Sequence, residues 1–351
     1  MQFAGDHVPA GRGGSHNEPR GRALSAATAT EWTIEEVKIR TGLLVAVLLG
    51  IGVLAACSSS TKPLEGTTPI GAGCRGDADD PQPGDVICFS GTLTEPLAIL
   101  TGGTPENPVV YAGGGSTTVP GITIDADNVV VQGFVSSGAD STGIVANGRN
   151  VTVQDNTITQ VRYTGDDVDG MRFFGDGTKL LRNRVYDLEA NDVADSHVDC
   201  MQTFATSGPG SSDVLIQGNR CENIRAQCLM AEGPNDTESG GSGQGVSRNW
   251  RFEGNYCDAN AKAQSVALED IQNVTISGNQ MAGKATKAFA LGKGSSGIVV
   301  EGNEIGSGYG REVGFDDPSA AEGYQGPPVP AEEVAGRTDD QFSSDQSDEE
   351  D

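Results

Sequence analysis

Val214-Leu215-Ile216-Gln217-Gly218-Asn219-Arg220-Cys221 sets the reading of this chain, because its pattern keeps coming back. Trp250-Arg251-Phe252-Glu253-Gly254-Asn255-Tyr256-Cys257, Val274-Thr275-Ile276-Ser277-Gly278-Asn279-Gln280-Met281 and Ile298-Val299-Val300-Glu301-Gly302-Asn303-Glu304-Ile305 follow it. Val151-Thr152-Val153-Gln154-Asp155-Asn156-Thr157-Ile158 precedes it, with Leu181-Arg182-Asn183-Arg184-Val185 as a shorter copy and Val129–Phe134 as a looser one. Each copy reads apolar, any, apolar, polar, Gly or Asp, Asn, any, apolar.

Alternation with a period of two makes each copy a short strand with one buried face. The Gly-Asn pair marks a turn, since both residues tolerate left-handed backbone angles. A unit this small cannot bury its own face, so the units must stack. No window carries a convincing helical stripe. Parallel strands spaced by about 4.8 Å then form an all-β solenoid, each coil hydrogen-bonded to the next.

Outside the repeat the composition changes. Gly42 and residues 43–56 form the one long apolar run, preceded by Lys38 and Arg40 and ended by Cys57 and three serines. It is short for a membrane span but suits a secretory core. Leu54-Ala55-Ala56-Cys57 resembles the bacterial lipobox, which implies acylation of Cys57. The reading is therefore an N-terminal extension of doubtful status over 1–36 and a lipoprotein signal peptide over 37–57. Translation from Val37 would explain the extension. A tether over 58–70 leads to the solenoid over 71–315, and a disordered acidic tail occupies 316–351, after the pattern fades and prolines appear.

The chain carries 49 acidic against 23 basic side chains, a formal net charge of −26, which argues against nucleic acid as a partner. The expected partners are a polysaccharide or cell-wall glycan, and the membrane only through the lipid anchor. The chain is read as a monomer, exported to the outer face of the cell membrane or secreted.

The stacked Asn segments resemble the right-handed parallel β-helix superfamily, the architecture of pectate lyases and many secreted carbohydrate-active proteins. The resemblance covers roughly residues 84–315. It implies a single-stranded right-handed β-helix, an asparagine ladder at the repeated turn, and a bias toward carbohydrate. It carries over no catalytic residue, because the chain lacks both the Arg-x-Pro-x-x-Arg of typical pectate lyases and the Gly-His-Gly of polygalacturonases.

Setting Cys57 aside leaves an even set of cysteines, which suits an oxidising compartment. Cys221 and Cys257 share one repeat position. Asp169-Gly170-Met171-Arg172, Asp199-Cys200-Met201-Gln202 and Gln227-Cys228-Leu229-Met230 also align, placing Cys200 over Cys228. Coil-to-coil spacing falls within disulfide range, so the expected pairs are Cys221–Cys257 and Cys200–Cys228, leaving Cys74–Cys88. Free stacked thiols are the alternative.

On a β-helix, chemistry is built on an outer face from side chains of neighbouring coils. The spans 157–178, 186–212 and 222–248 are read as long excursions that would wall a groove. His197, the one histidine after the signal segment, begins His197-Val198-Asp199, and the adjoining coils bring Arg172, Glu232 and Glu269. These five are the candidate catalytic residues, with Asp169, Gln202, Lys287 and Lys293 as candidate substrate ligands.

For a lyase or C5-epimerase, His197 would serve as base or acid, Asp199 would orient it, and Arg172 would neutralise the enolate-like charge. For a hydrolase, Glu232, Glu269 and Asp199 offer carboxylate pairs. Asp166, Asp167, Asp169 and Asp195 could bind calcium, though no loop has EF-hand spacing; otherwise no cofactor or metal is expected. The bland reading of the same residues is a turn-stabilising His-x-Asp bond and a solvated ladder of charges. The function read from the sequence is a surface-anchored lipoprotein that binds and processes polysaccharide. The alternative is a non-catalytic glycan-binding or structural surface protein.

Overall fold

A computed structural model describes residues 73–165, 167–193, 197–206, 208–237 and 240–335. The apolar run, Cys57, the tether and residues 336–351 lie outside the described residues, as do Asp166 and Asp195.

The alternating segments are strands, and every pairing between them is parallel, apart from one isolated antiparallel bridge at Arg75 and Val86. Among the described residues the chain winds as a right-handed parallel β-helix of nine coils. Each coil lays one strand in a 9-stranded sheet running from Leu97–Ile99 to Tyr309–Phe315. A 15-stranded sheet supplies the other walls; its two arms join through the long strands Val109–Val119 and Val129–Ser137. Inward side chains from all walls form one continuous apolar core, from Ile87 to Ala320.

The repeated Asn is the corner between the two arms. Its amide must be buried there, and a buried amide must be hydrogen-bonded. The ladder meets that need: Asn156 Nδ2 donates to Asn183 Oδ1 at 3.1 Å, Asn183 to Asn219 at 3.0 Å, and Asn219 to Asn255 at 3.1 Å. Asn255 then donates to Asn279 at 3.0 Å and Asn279 to Asn303 at 2.9 Å. Each Nδ2 also reaches a main-chain carbonyl, as Asn219 does to Leu180 O at 2.7 Å. The residue before each Asn carries the left-handed angle, which is why Gly dominates there; Asp155 (φ 55) and Arg182 (φ 53) adopt it too.

Three expectations are corrected. The bonded pairs are Cys200–Cys221 and Cys228–Cys257, with Cα atoms 5.9 and 5.7 Å apart; only Cys74–Cys88 is as expected. The register itself was right, for Cys221 lies against Cys257 on adjacent coils. Each bond instead crosses the interior within one coil, from the 9-stranded sheet to the opposite wall, because inward side chains converge there while stacked neighbours run side by side. Second, the spans 157–178, 186–212 and 222–248 are not free excursions; each contains a strand of the 9-stranded sheet.

Third, residues 316–335 are folded rather than tail. Gln325 pairs with the last coil through Val300 N and Ile298 O. Tyr324 packs edge-on against Phe315 at 5.0 Å. The buried Glu333 carboxylate accepts from Phe315 N at 2.9 Å and pairs with Arg311. This segment covers the open end of the solenoid, as a capping element must.

Candidate active site

The strands Val168–Phe173, Val198–Thr203 and Leu229–Glu232 are neighbours in the 9-stranded sheet. In register, Asp169 lies beside Asp199, Arg172 beside Gln202, and Glu232 beside Glu269. Arg172, His197, Gln202 and Glu232, from sequence positions far apart, line one open hollow of ≈ 510 Å³ together with Tyr163 and Phe204. The Cys200–Cys221 bond fastens the central strand to the opposite wall directly beneath it.

Two carboxylates lie under the hollow rather than in it. Asp199 is fully buried; its Oδ1 accepts from Gln227 N at 2.6 Å and its Oδ2 stands 3.3 Å from His197 Nδ1. Asp169 is likewise buried and holds the Arg172 guanidinium through Nε. Arg172 Nη2 also donates to Asp167 O at 3.3 Å, and the guanidinium lies 5.7 Å from the Phe204 ring centre. The cation is thus held from below by one buried acid, and the imidazole stands over another.

Burial sets the charge states. It pushes the Asp169 carboxyl up to about 6, against the pull of Arg172. Burial, then the Asp169 charge, drives Asp199 well above the usual carboxylate range. Glu232 is raised by burial first, then by the Asp236 and Asp167 charges. Gln202 is buried, and its Oε1 has no hydrogen-bond partner among the described residues. An unsatisfied buried acceptor of this kind calls for explanation, and at the wall of a hollow a ligand donor provides one.

The hollow brings together Arg172, His197, Gln202 and Glu232, with Asp169 and Asp199 as supports. Glu269 stands one coil beyond Glu232, outside the lining. Lys287 is buried in an ion pair with Asp316 near the last coil, and Lys293 is exposed; neither reaches the hollow. No group of three or more His, Cys, Asp or Glu among the described residues is arranged to hold a metal ion. Sequence reasoning missed Tyr163, Phe204 and Phe174. The available signal was Phe173-Phe174: strand alternation can bury only one of them, and Phe173 is in the core against Trp250 at 5.6 Å.

Fold and disulfides define an exported β-helix protein with a groove of ionisable groups on one face. Its path is similar to that of a tailspike protein mutant of E. coli bacteriophage HK620 in complex with pentasaccharide. That match has a TM-score of 0.42 at 12% identity and covers 70% of this chain and 57% of the tailspike. The A-module of Azotobacter vinelandii mannuronan C-5 epimerase matches at TM-score 0.29 and 13% identity, over 65% of this chain and 68% of that one. The catalytic domain of a GH87 alpha-1,3-glucanase matches at 0.19 and 8%, over 69% and 64%. The chain therefore spans under two thirds of the tailspike's length, and these likenesses concern the fold alone. No family model and no curated protein sequence matches the chain.

Proposed function

We propose that the hollow binds a uronate-bearing polysaccharide and removes the proton next to the sugar carboxylate, the step shared by lyases and C5-epimerases. The observation that carries this is the His197–Asp199 pair opening onto the same hollow as Arg172 and Glu232. With Nδ1 turned to Asp199, a neutral ring keeps its proton there and offers Nε2 to the hollow as the base. Arg172 neutralises the carboxylate whose charge grows as the carbon–hydrogen bond breaks. Glu232, with its carboxyl raised, donates a hydrogen bond to the same oxygens while protonated. In elimination the bond to the leaving oxygen breaks as the double bond forms, and Tyr163, 36% exposed at the rim, returns a proton to that oxygen.

Hydrolysis is less well served. Of the carboxylates proposed for it, Asp199 is sealed under the hollow, and Glu269 stands beside Glu232 one coil on, outside the lining. The acidity of the chain does not forbid an anionic substrate, since fields from remote charges are screened beyond about 8 Å at physiological salt. Attachment through acylated Cys57 would hold this groove at the cell surface.

The test is the product released from a panel of acidic and neutral polysaccharides. Unsaturated, ultraviolet-absorbing ends, or inverted uronates, support the reading; reducing ends without unsaturation, or binding without product, overturn it. The pH profile of kcat/KM adds a second readout. Wild-type activity should fall as pH rises through the raised Glu232 pKa and the donor is lost. Glu232→Gln, a permanent donor, should retain activity and lose that alkaline fall; an unchanged fall would remove Glu232 from the role.

A further inference from the structure

Phe174, Phe204 and Glu232 follow one another on successive coils of one outward-facing stack. Register places Asn147 and Phe174 one residue past Ala146 with Phe173, Phe174 and Phe204 two past Arg172 with Gln202, and Phe204 and Glu232 one past Thr203 with Ala231. Asn147 continues the stack on the coil before. The Phe174 and Phe204 rings meet edge to face, with centres 5.0 Å apart at 76°. Both are only partly buried, an unusual use of two large apolar rings on a solvent-facing wall.

These rings open a second hollow of ≈ 470 Å³ with Asn147, Pro209 and Ser211 in its wall. Phe204 and Thr206 belong to both hollows, so the two adjoin as one groove. The cation at its far end, Arg149, is engaged by Asp127 through two nitrogens, at 3.1 and 2.8 Å. That end therefore presents flat apolar rings beside an exposed ion pair and Asp176.

We infer that the second hollow is a subsite for the neighbouring sugar ring of the same polysaccharide, seated on Phe174 and Phe204. This rests on the reading of the first hollow as the reacting site. A pyranose presents a face of axial C–H groups, which packs on an aromatic ring as other apolar surfaces do. The reacting sugar lies over Arg172 and His197, and its neighbour lies over Phe174 and Phe204, two residues further along the same two coils, so the polymer runs along the strands and across the helix axis. The site takes internal stretches of a chain rather than a single sugar.

Calorimetric titration with uronate oligosaccharides of increasing length tests this on wild type, Phe174→Ala and Phe174→Tyr. Wild type should bind longer oligosaccharides more tightly than a monosaccharide. Phe174→Ala should weaken the long ones about tenfold, flattening the dependence on length, and Phe174→Tyr, which keeps a flat ring, should restore it. Binding of long oligosaccharides by Phe174→Ala as tight as wild type overturns the subsite while leaving the first hollow's role standing. Equal weakening at every length also overturns it. If wild type binds none of the oligosaccharides, the reading of the first hollow fails, and the subsite with it.

Discussion

Asp199→Asn is expected to slow turnover about a thousandfold and, above neutral pH, to raise the melting temperature. The amide oxygen can still accept from Gln227 N, as Asp199 Oδ1 does at 2.6 Å. The amide nitrogen, however, turns a donor toward His197 Nδ1. The ring must then hold its proton on Nε2, where a base needs a lone pair. Stability moves the other way because the fold raises the Asp199 carboxyl. A raised acid stabilises the fold below its unfolded pKa, and that contribution is lost as pH climbs through the folded value. The variant carries no such term, so its advantage in melting temperature should widen from acid toward alkaline pH. For scale, moving the Asp169 carboxyl from 3.8 to about 6 corresponds to about 3 kcal/mol. Wild-type turnover in Asp199→Asn, or a variant that melts below wild type above neutrality, contradicts this role.

Asn219→Ala should cost about 3–5 kcal/mol in denaturant unfolding, as should loss of the other fully buried mid-ladder amides. Asn219 is 1% exposed and sits mid-ladder. Its removal leaves Leu180 O without its donor and strips Asn183 of the acceptor for both its main-chain N–H (2.9 Å) and its side-chain amide (3.0 Å). Asn303, at the last rung, is half-buried, so Asn303→Ala should cost a fraction of that. Equal losses at the two positions would mean that the amides do not act as a buried column.

The coils were legible because the chain states their period in side-chain chemistry: apolar alternation, a left-handed residue, then Asn. The same register correctly set Cys221 against Cys257 and Arg172 against Gln202. What it could not convey is distance across the interior. The walls at Cys200 and Cys221 approach to 5.9 Å, within the same disulfide range as stacked coils, and spacing along the axis alone cannot choose between the two directions.

The candidate site shows the same division. His197, Arg172, Gln202 and Glu232 followed from register, but the depth of Asp199 and Asp169 depends on what covers the strands. Lys287 was misplaced for a related reason. It belongs to the same sheet two coils beyond Glu232, yet its partner Asp316 comes from the capping segment read as tail. Tyr163, Phe174 and Phe204 carry no charge and lie outside the repeated Asn pattern, so register alone did not single them out.

The claim on which the functional account stands is that His197, brought over Asp199 by coil stacking, moves the proton. The most direct measurement is the rate of product formation from a uronate polysaccharide by His197→Ala, checked to melt as wild type does. His197 is 43% exposed in its side chain, so its truncation should leave the fold intact. The account predicts a rate at least about a hundredfold lower; turnover at the wild-type rate would contradict it.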